Sequence, residues 1–132
     1  MGQWSIEVRP VQFDELAPLK ELAAGYRLPF KKTTNTQWFG AYVEGAPIGC
    51  CFAKWITADK KTVLLSPVAC VGRWRGTGAV IKAIETVMDW ATEHGATRLE
   101  VIPLTGTSSI YRSLGFSTES DGKLVKGYPE AA

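Results

Sequence analysis

The sequence predicts an α/β fold with a mixed, mostly antiparallel sheet, its elements running β-α-β-β-β-α-β-α-β-β. Three observations carry that expectation. Hydrophobic spacing changes repeatedly between a period of two and a period of three to four. The front half holds consecutive strand-like runs joined by short polar turns, as antiparallel neighbours allow. The regular β-α alternation of a doubly wound parallel sheet is absent.

Taken in order, residues 5–10 (Ser-Ile-Glu-Val-Arg-Pro) alternate apolar and polar, as a first strand should. Asp14 then precedes Leu16, Leu19, Leu22 and Ala23, an apolar stripe on one helix face. Asp14 reads as the N-cap and Gly25 as the stop. Residues 26–36, with Pro29 and Lys31-Lys32, read as loop or irregular helix. Gln37 to Val43 and Ile48 to Thr57 are strands around the turn Glu44-Gly45-Ala46-Pro47. Ala58-Asp59-Lys60-Lys61 turns the chain into a further strand, Thr62 to Val71, where Pro67 calls for an edge, a bulge or a break.

From about Gly76 the period becomes helical. Val80, Ile84, Val87, Met88 and Ala91 recur at three and four, and His94-Gly95 ends the run. Thr97 to Ile102 is a short strand, and a brief helix over roughly 106–114 stops at Gly115. Phe116 to Ser120 and Lys123 to Tyr128 flank Asp121-Gly122, the sharpest hairpin signal in the chain.

The bulk numbers bound the answer. A chain of 132 residues has room for one domain with one core, spanning 1–132. Hydrophobic residues at 45% and charged residues at 21% match an ordinary globular protein. A net charge of +2 is too small to imply nucleic-acid binding by itself, but suits a polyphosphate ligand if the basic residues converge. No run approaches the length of a membrane span, and the N-terminus lacks the pattern of a signal peptide. Cys50, Cys51 and Cys70 show no metal-ligand spacing and read as buried thiols of a cytoplasmic protein without a metal. Adjacent on a strand, Cys50 and Cys51 point to opposite faces.

The chemistry concentrates at Arg75-Gly76-Thr77-Gly78, between a strand and the best amphipathic helix. Glycines allow tight turns and close ligand approach. The first helix amides lack internal partners and sit at the positive end of the helix dipole, which makes a cradle for a pyrophosphate. Arg75 or Arg73 would reinforce it. The segment lacks the Gly-Lys-Ser/Thr ending of a P-loop. It also lacks the third glycine of a dinucleotide fold, since Ile81 stands there.

Strand, Arg-Gly-x-Gly, long helix, strand, short helix with Tyr, then Leu-Gly-Phe resembles the layout of the GNAT (Gcn5-related) N-acyltransferases. Pro67 to Val71, Arg75 to Gly78, Val80 to Gly95, Leu99-Glu100-Val101 and Tyr111-Arg112-Ser113-Leu114-Gly115-Phe116 carry the likeness. The resemblance implies a six- to seven-stranded sheet flanked by helices, and acetyl-CoA or another acyl-CoA as co-substrate. It implies a donor pyrophosphate on the amides of Arg75, Gly76, Thr77, Gly78, Ala79 and Val80. Pantetheine would lie along Ala69, Cys70 and Val71, and a backbone N–H near Cys70 would face the thioester carbonyl. Tyr111 would protonate the departing thiolate, a transfer that a phenol within reach can make.

Two positions depart from the family pattern. Val80 stands where a small residue is usual, and Leu104-Thr105-Gly106-Thr107 replaces a frequent Asn, leaving Thr105, Thr107 or Ser108 to supply polar contacts. The fourth strand offers no general base. Glu44 and Asp59 read as turn residues and Glu100 as a solvated strand position. His94 reads as a cation at a helix C-terminus. Cys70 has no sequence-adjacent His to activate it as a nucleophile.

The acceptor is expected over the first helix, residues 26–36 and the strands after them, where Tyr26, Arg27, Phe30, Lys31, Lys32, Trp38 and Trp55 are aromatic and basic. A small or macromolecular amine is the first expectation. An amine on a nucleotide, tRNA or modified DNA base is the second, because aromatic residues beside cations can grip nucleic acid. A non-catalytic acyl-CoA sensor is the third. Phe116 to Tyr128 offers an edge for pairing, so both monomer and homodimer are open.

Overall fold

The computed structural model describes residues 5–119 and 122–128. Two sequence expectations, the reading of Met1 to Trp4 and the Asp121 half of the last turn, lie outside the described residues. The elements are β1 (Ile6–Val11), 3₁₀ turns (Phe13–Leu19), α1 (Lys20–Gly25), β2 (Thr36–Val43), β3 (Ala46–Trp55), β4 (Thr62–Leu65), β5 (Ala69–Cys70), 3₁₀ turns (Gly72–Thr77), α2 (Ala79–Glu93), β6 (Arg98–Val101), α3 (Ser108–Ser113), β7 (Ser117–Thr118) and β8 (Leu124–Gly127). One sheet runs β1-β2-β3-β4-β6-β8-β7, with β5 also on β3. Every pairing is antiparallel except β4 with β6, which the α2 crossover makes parallel.

Strand alternation divides the core between the two faces. Phe39, Ala41, Cys51, Ala53, Val63 and Leu65 share one cluster with α2 residues Val80, Ala83, Ile84, Val87 and Ala91. Trp38, Tyr42, Cys50 and Phe52 share the other with Leu16, Leu19 and Ala23. Cys50 and Cys51 thus face opposite ways, as expected. The aliphatic side chains that α2 buries contribute about 1.5–3 kcal/mol each. None of the helices among the described residues is long and apolar enough to cross a membrane.

The first helix differs from expectation. Its N-cap is Gln12, whose N–H donates to the Glu15 carboxylate at 3.0 Å, and Asp14 lies inside the following 3₁₀ turns. Pro18 has no N–H for an α-helical bond, so the chain stays 3₁₀ until Lys20. The β2–β3 hairpin is also tighter than read. Glu44 (φ 50°) and Gly45 (φ 80°) alone form the turn, and Ala46 and Pro47 already belong to β3.

Pro67 marks a bulge. Leu65 pairs with Ala53 and Ala69 with Cys50, so Ser66, Pro67 and Val68 stand opposite only Cys51 and Phe52. Ser66 holds the bulge in place. Its N–H donates to Phe52 O at 3.0 Å, and its hydroxyl accepts from Phe52 N–H at 2.8 Å. One strand of the sequence therefore becomes β4 and β5, bent where the extra residue sits.

Candidate active site

The bend opens the sheet. β4 and β6 pair from Thr62–Arg98 to Leu65–Val101, and no pairing with β6 continues into β5. Pro67, Val68, Arg75, Val80, Ile84, Leu104, Thr107, Ile110 and Tyr111 line the crevice between them. It holds about 10 Å³, the room of one water molecule.

The ladder sets which backbone groups face this crevice. Val71 N–H donates to Ile48 O at 2.8 Å, so Ile48–Val71 is a hydrogen-bonded pair. The next pair, Gly49–Cys70, is then of the non-bonded kind, and the N–H and C=O of Cys70 point away from β3. Consistent with this, Cys70 O accepts from the Tyr26 hydroxyl at 2.8 Å. Of Ala69, Cys70 and Val71, only Cys70 turns its amide toward the crevice side. β3 and β5 approach so closely that a Cβ on Gly49 would lie 2.7 Å from Ala69 O.

Below the crevice mouth the chain winds through Gly72–Thr77 into α2. Gly78 takes φ 90°, a left-handed conformation that favours glycine, and serves as the N-cap of the 15-residue helix. A Cβ on Gly76 or Gly78 would meet nothing within 4 Å, so open space lies over the first helix amides. Ala79 and Val80 are buried against the core, so the branched Val80 side chain leaves that space clear.

Arg75 sits elsewhere than over this cradle. Its guanidinium donates to Val68 O at 3.2 Å and to the Tyr26 hydroxyl at 3.0 Å, and lies 5.1 Å above the Tyr26 ring. The cation satisfies a carbonyl that the bulge leaves unpaired. Arg73 is exposed and lies 5.8 Å over the Trp74 ring.

Tyr111 lines the opposite wall. α3 presents it inward, and Gly115 (φ 97°) folds the chain so that Phe116 meets its ring edge-on at 5.7 Å. Burial, with a smaller contribution from Cys51, pushes the phenol up to about 12 against the pull of Arg75. At neutral pH it therefore keeps its proton. In the connection that lacks the expected Asn, Thr107 caps α3 and its hydroxyl donates to Leu104 O at 2.7 Å.

The remaining candidates have other roles. Glu100 is buried, correcting its reading as a solvated position. Arg98 bonds it at 2.7 Å and Lys123 at 3.2 Å, and both also hold Glu119. Burial would raise the Glu100 pKa, but these two cations outweigh it and hold it below the usual range. His94 contacts Trp90 O at 2.7 Å through Nδ1 and stacks on the Trp90 ring at 4.4 Å. All three cysteines are buried and unpaired, and burial raises each thiol pKa, Cys50 to about 12.

The aromatic residues expected to gather on the acceptor side divide between faces. Trp38 is 2% exposed and packs with Phe13, Phe30 and Phe52, whereas Trp55 approaches Trp90 on the α2 face. Sequence reading missed Tyr26 as the partner of Arg75 and Cys70. Its position just after Gly25 was the available signal, but the contacts span 44 and 49 residues.

Solved structures share this architecture. The PaiA N-acetyltransferase from Thermoplasma acidophilum, in complex with coenzyme A, is 16% identical with a TM-score of 0.73, over 94% of this chain and 99% of that one. A GNAT superfamily phosphinothricin acetyltransferase from Sinorhizobium meliloti, in complex with AcCoA, is 14% identical with a TM-score of 0.75, over 96% and 89%. The IAA acetyltransferase from Bacillus cereus ATCC 14579 is 18% identical with a TM-score of 0.69, over 93% and 99%. At such identities the likeness is one of fold. No curated protein gives a significant sequence match. The model of the acetyltransferase (GNAT) family, however, matches residues 3–116. The chain belongs to that family.

Proposed function

We propose that the protein transfers an acetyl group from acetyl-CoA to an amine by direct attack, without an acyl-enzyme. The observation that carries this reading is the convergence of three features on one crevice: a bulged strand, a glycine-flanked helix N-terminus and a buried phenol.

The amides from Arg75 to Val80 receive the donor pyrophosphate, because the helix dipole favours anions there and Gly76 and Gly78 leave the approach open. Pantetheine enters the crevice beside Ala69, Cys70 and Val71. With room for a single water, the crevice must widen, and Arg75 must leave Tyr26 and Val68 O to let it do so. The Cys70 N–H donates to the thioester carbonyl, where charge develops as the amine attacks. The N–C bond forms and the C–S bond breaks. The thiolate takes the Tyr111 proton, while the attacking nitrogen loses its own to water. Holding amine and thioester in line supplies much of the rate.

The test is calorimetric titration with acetyl-CoA and CoA of wild type, the Arg75→Ala/Gly78→Glu double variant and Gly76→Glu. Gly76 has no left-handed φ and an unobstructed Cβ direction, so that variant should fold normally while setting a carboxylate over the cradle. Wild type is expected to bind and both variants to lose binding by about a hundredfold or more. Absence of binding by folded wild type near millimolar ligand would sink the proposal and leave only a fold likeness.

A further inference from the structure

A second depression shares no lining residue with the crevice. Pro29, Lys31, Thr33, Thr36, Phe52 and Lys54 line it, and it holds about 270 Å³. That is slightly under the usual size of a drug-like ligand pocket, so it suits a small molecule.

Its chemistry is one-sided. Two lysines line the basin beside two threonines, a proline and a phenylalanine, and no acidic residue lines it. Among the described residues, no carboxylate pairs with Lys31 or Lys54, whereas Arg9, Arg98 and Lys123 each have carboxylate partners. The Thr33 and Thr36 hydroxyls are bonded to each other at 2.5 Å, which fixes the loop against β2. Trp38 N–H donates to Lys31 O at 3.0 Å and ties the loop to the buried aromatic cluster. Two cations held on an anchored frame without a counter-charge make a receptor for an anionic group.

The basin adjoins the crevice through the bulge. Phe52 lines the basin and bonds Ser66 through both backbone groups, and the next two residues, Pro67 and Val68, line the crevice. The loop that carries Lys31 begins at Tyr26, which covers Cys70 O. The basin is thus separated from the crevice-lining Pro67 and Val68 by a single hydrogen-bonded pair, Phe52–Ser66.

We infer that the basin receives the acceptor, and that the acceptor is a small amine bearing an anionic group, carboxylate or phosphate, held by Lys31 and Lys54. This rests on the proposed acetyl transfer for the reaction but makes a separate claim about binding. Its apolar portion lies against Phe52. The two lysines act as point charges, so they select for charge more than for the shape of the anion.

The experiment uses matched probes: L-methionine with L-methioninamide, and phosphoethanolamine with ethanolamine, which separates carboxylate from phosphate. Acetyl-CoA titration first establishes whether the donor site works. Thermal stabilisation by each amine without donor then reads the basin alone, and CoA release reads turnover. The anionic member of at least one pair should stabilise the chain and be favoured in kcat/KM by about tenfold or more. The Lys31→Met/Lys54→Met variant should bring that member down to its neutral partner. Donor binding with equal or better use of the neutral amines, or with no response to any amine, would overturn the inference. So would a preference that survives the double variant. Salt-sensitive binding of a single-stranded oligonucleotide that the double variant abolishes, without stabilisation by the small anions, would replace it with a polynucleotide acceptor. Failure of donor binding with intact stabilisation by the anionic amines would refute the proposed reaction while leaving the basin standing.

Discussion

The crevice and the basin are linked through the backbone pairing of Phe52 with Ser66, yet they are made from different material. Backbone shapes the crevice: an extra residue in one strand, a ladder that turns Cys70 outward, a left-handed Gly78 and the end of a helix dipole. It has room for about one water molecule, and Arg75 on its wall is bonded to Val68 O and the Tyr26 hydroxyl. Side chains of an irregular loop and two strand ends shape the basin, which stands open. A site built from backbone recognises what every donor molecule shares, and it tolerates little change because the sheet depends on the same bonds. A site built from exposed side chains can change its ligand while the core stays intact.

Four substitutions, one of them a control, sharpen this contrast. Tyr111→Phe removes the proposed proton donor but keeps the ring that packs on Phe116. Steady-state kinetics should show kcat reduced about a hundredfold or more, with thermal stability changed by at most ~1 kcal/mol. An unaltered kcat would make the crevice a binding slot only.

Gly49→Ala should come next. The new Cβ meets a backbone carbonyl of β5 and can be accommodated only by separating the strands. Urea unfolding should show a loss of about 1–3 kcal/mol, and calorimetry a weaker affinity for acetyl-CoA. Thr33→Ala, on the exposed basin rim, is the matched control and should stay within about 0.5 kcal/mol. Similar losses from both would erase the distinction between the two sites.

The smallest effect is on pH dependence. The folded Glu100 pKa lies below its unfolded value because Arg98 and Lys123 outweigh burial. Its contribution is therefore present above the ordinary glutamate value of about 4.3 and is lost as pH falls through the folded value. Glu100→Gln should flatten the decline of the urea midpoint between neutral and acid pH. A decline as steep as in wild type would show that Glu119 and the other carboxylates dominate the acid response.

Much of the crevice was legible in the chain. A period of three to four, a strand before it and glycines between them are local signals that placed the start of α2, while Tyr111 was singled out by the family resemblance. Pro67 marked the bulge because a residue without an N–H cannot serve a regular ladder. The basin was less legible. Lys31-Lys32 and the nearby aromatics looked like one surface patch, but Trp38 is core, Trp55 lies on the other face, and the partner that Lys31 finds in the basin is Lys54.

By itself, then, the sequence determined the element order, the mixed sheet, the family likeness and the glycine-flanked helix N-terminus, because each depends on residues only a few positions apart. Only the tertiary structure decided that Arg75 seals the crevice onto Tyr26, that Cys70 alone turns its amide outward, and that Glu100 is buried among cations. Those outcomes depend on strand register and on contacts across tens of residues. A one-residue bulge reverses which groups face a gap, and no local pattern states which distant side chain will fill it.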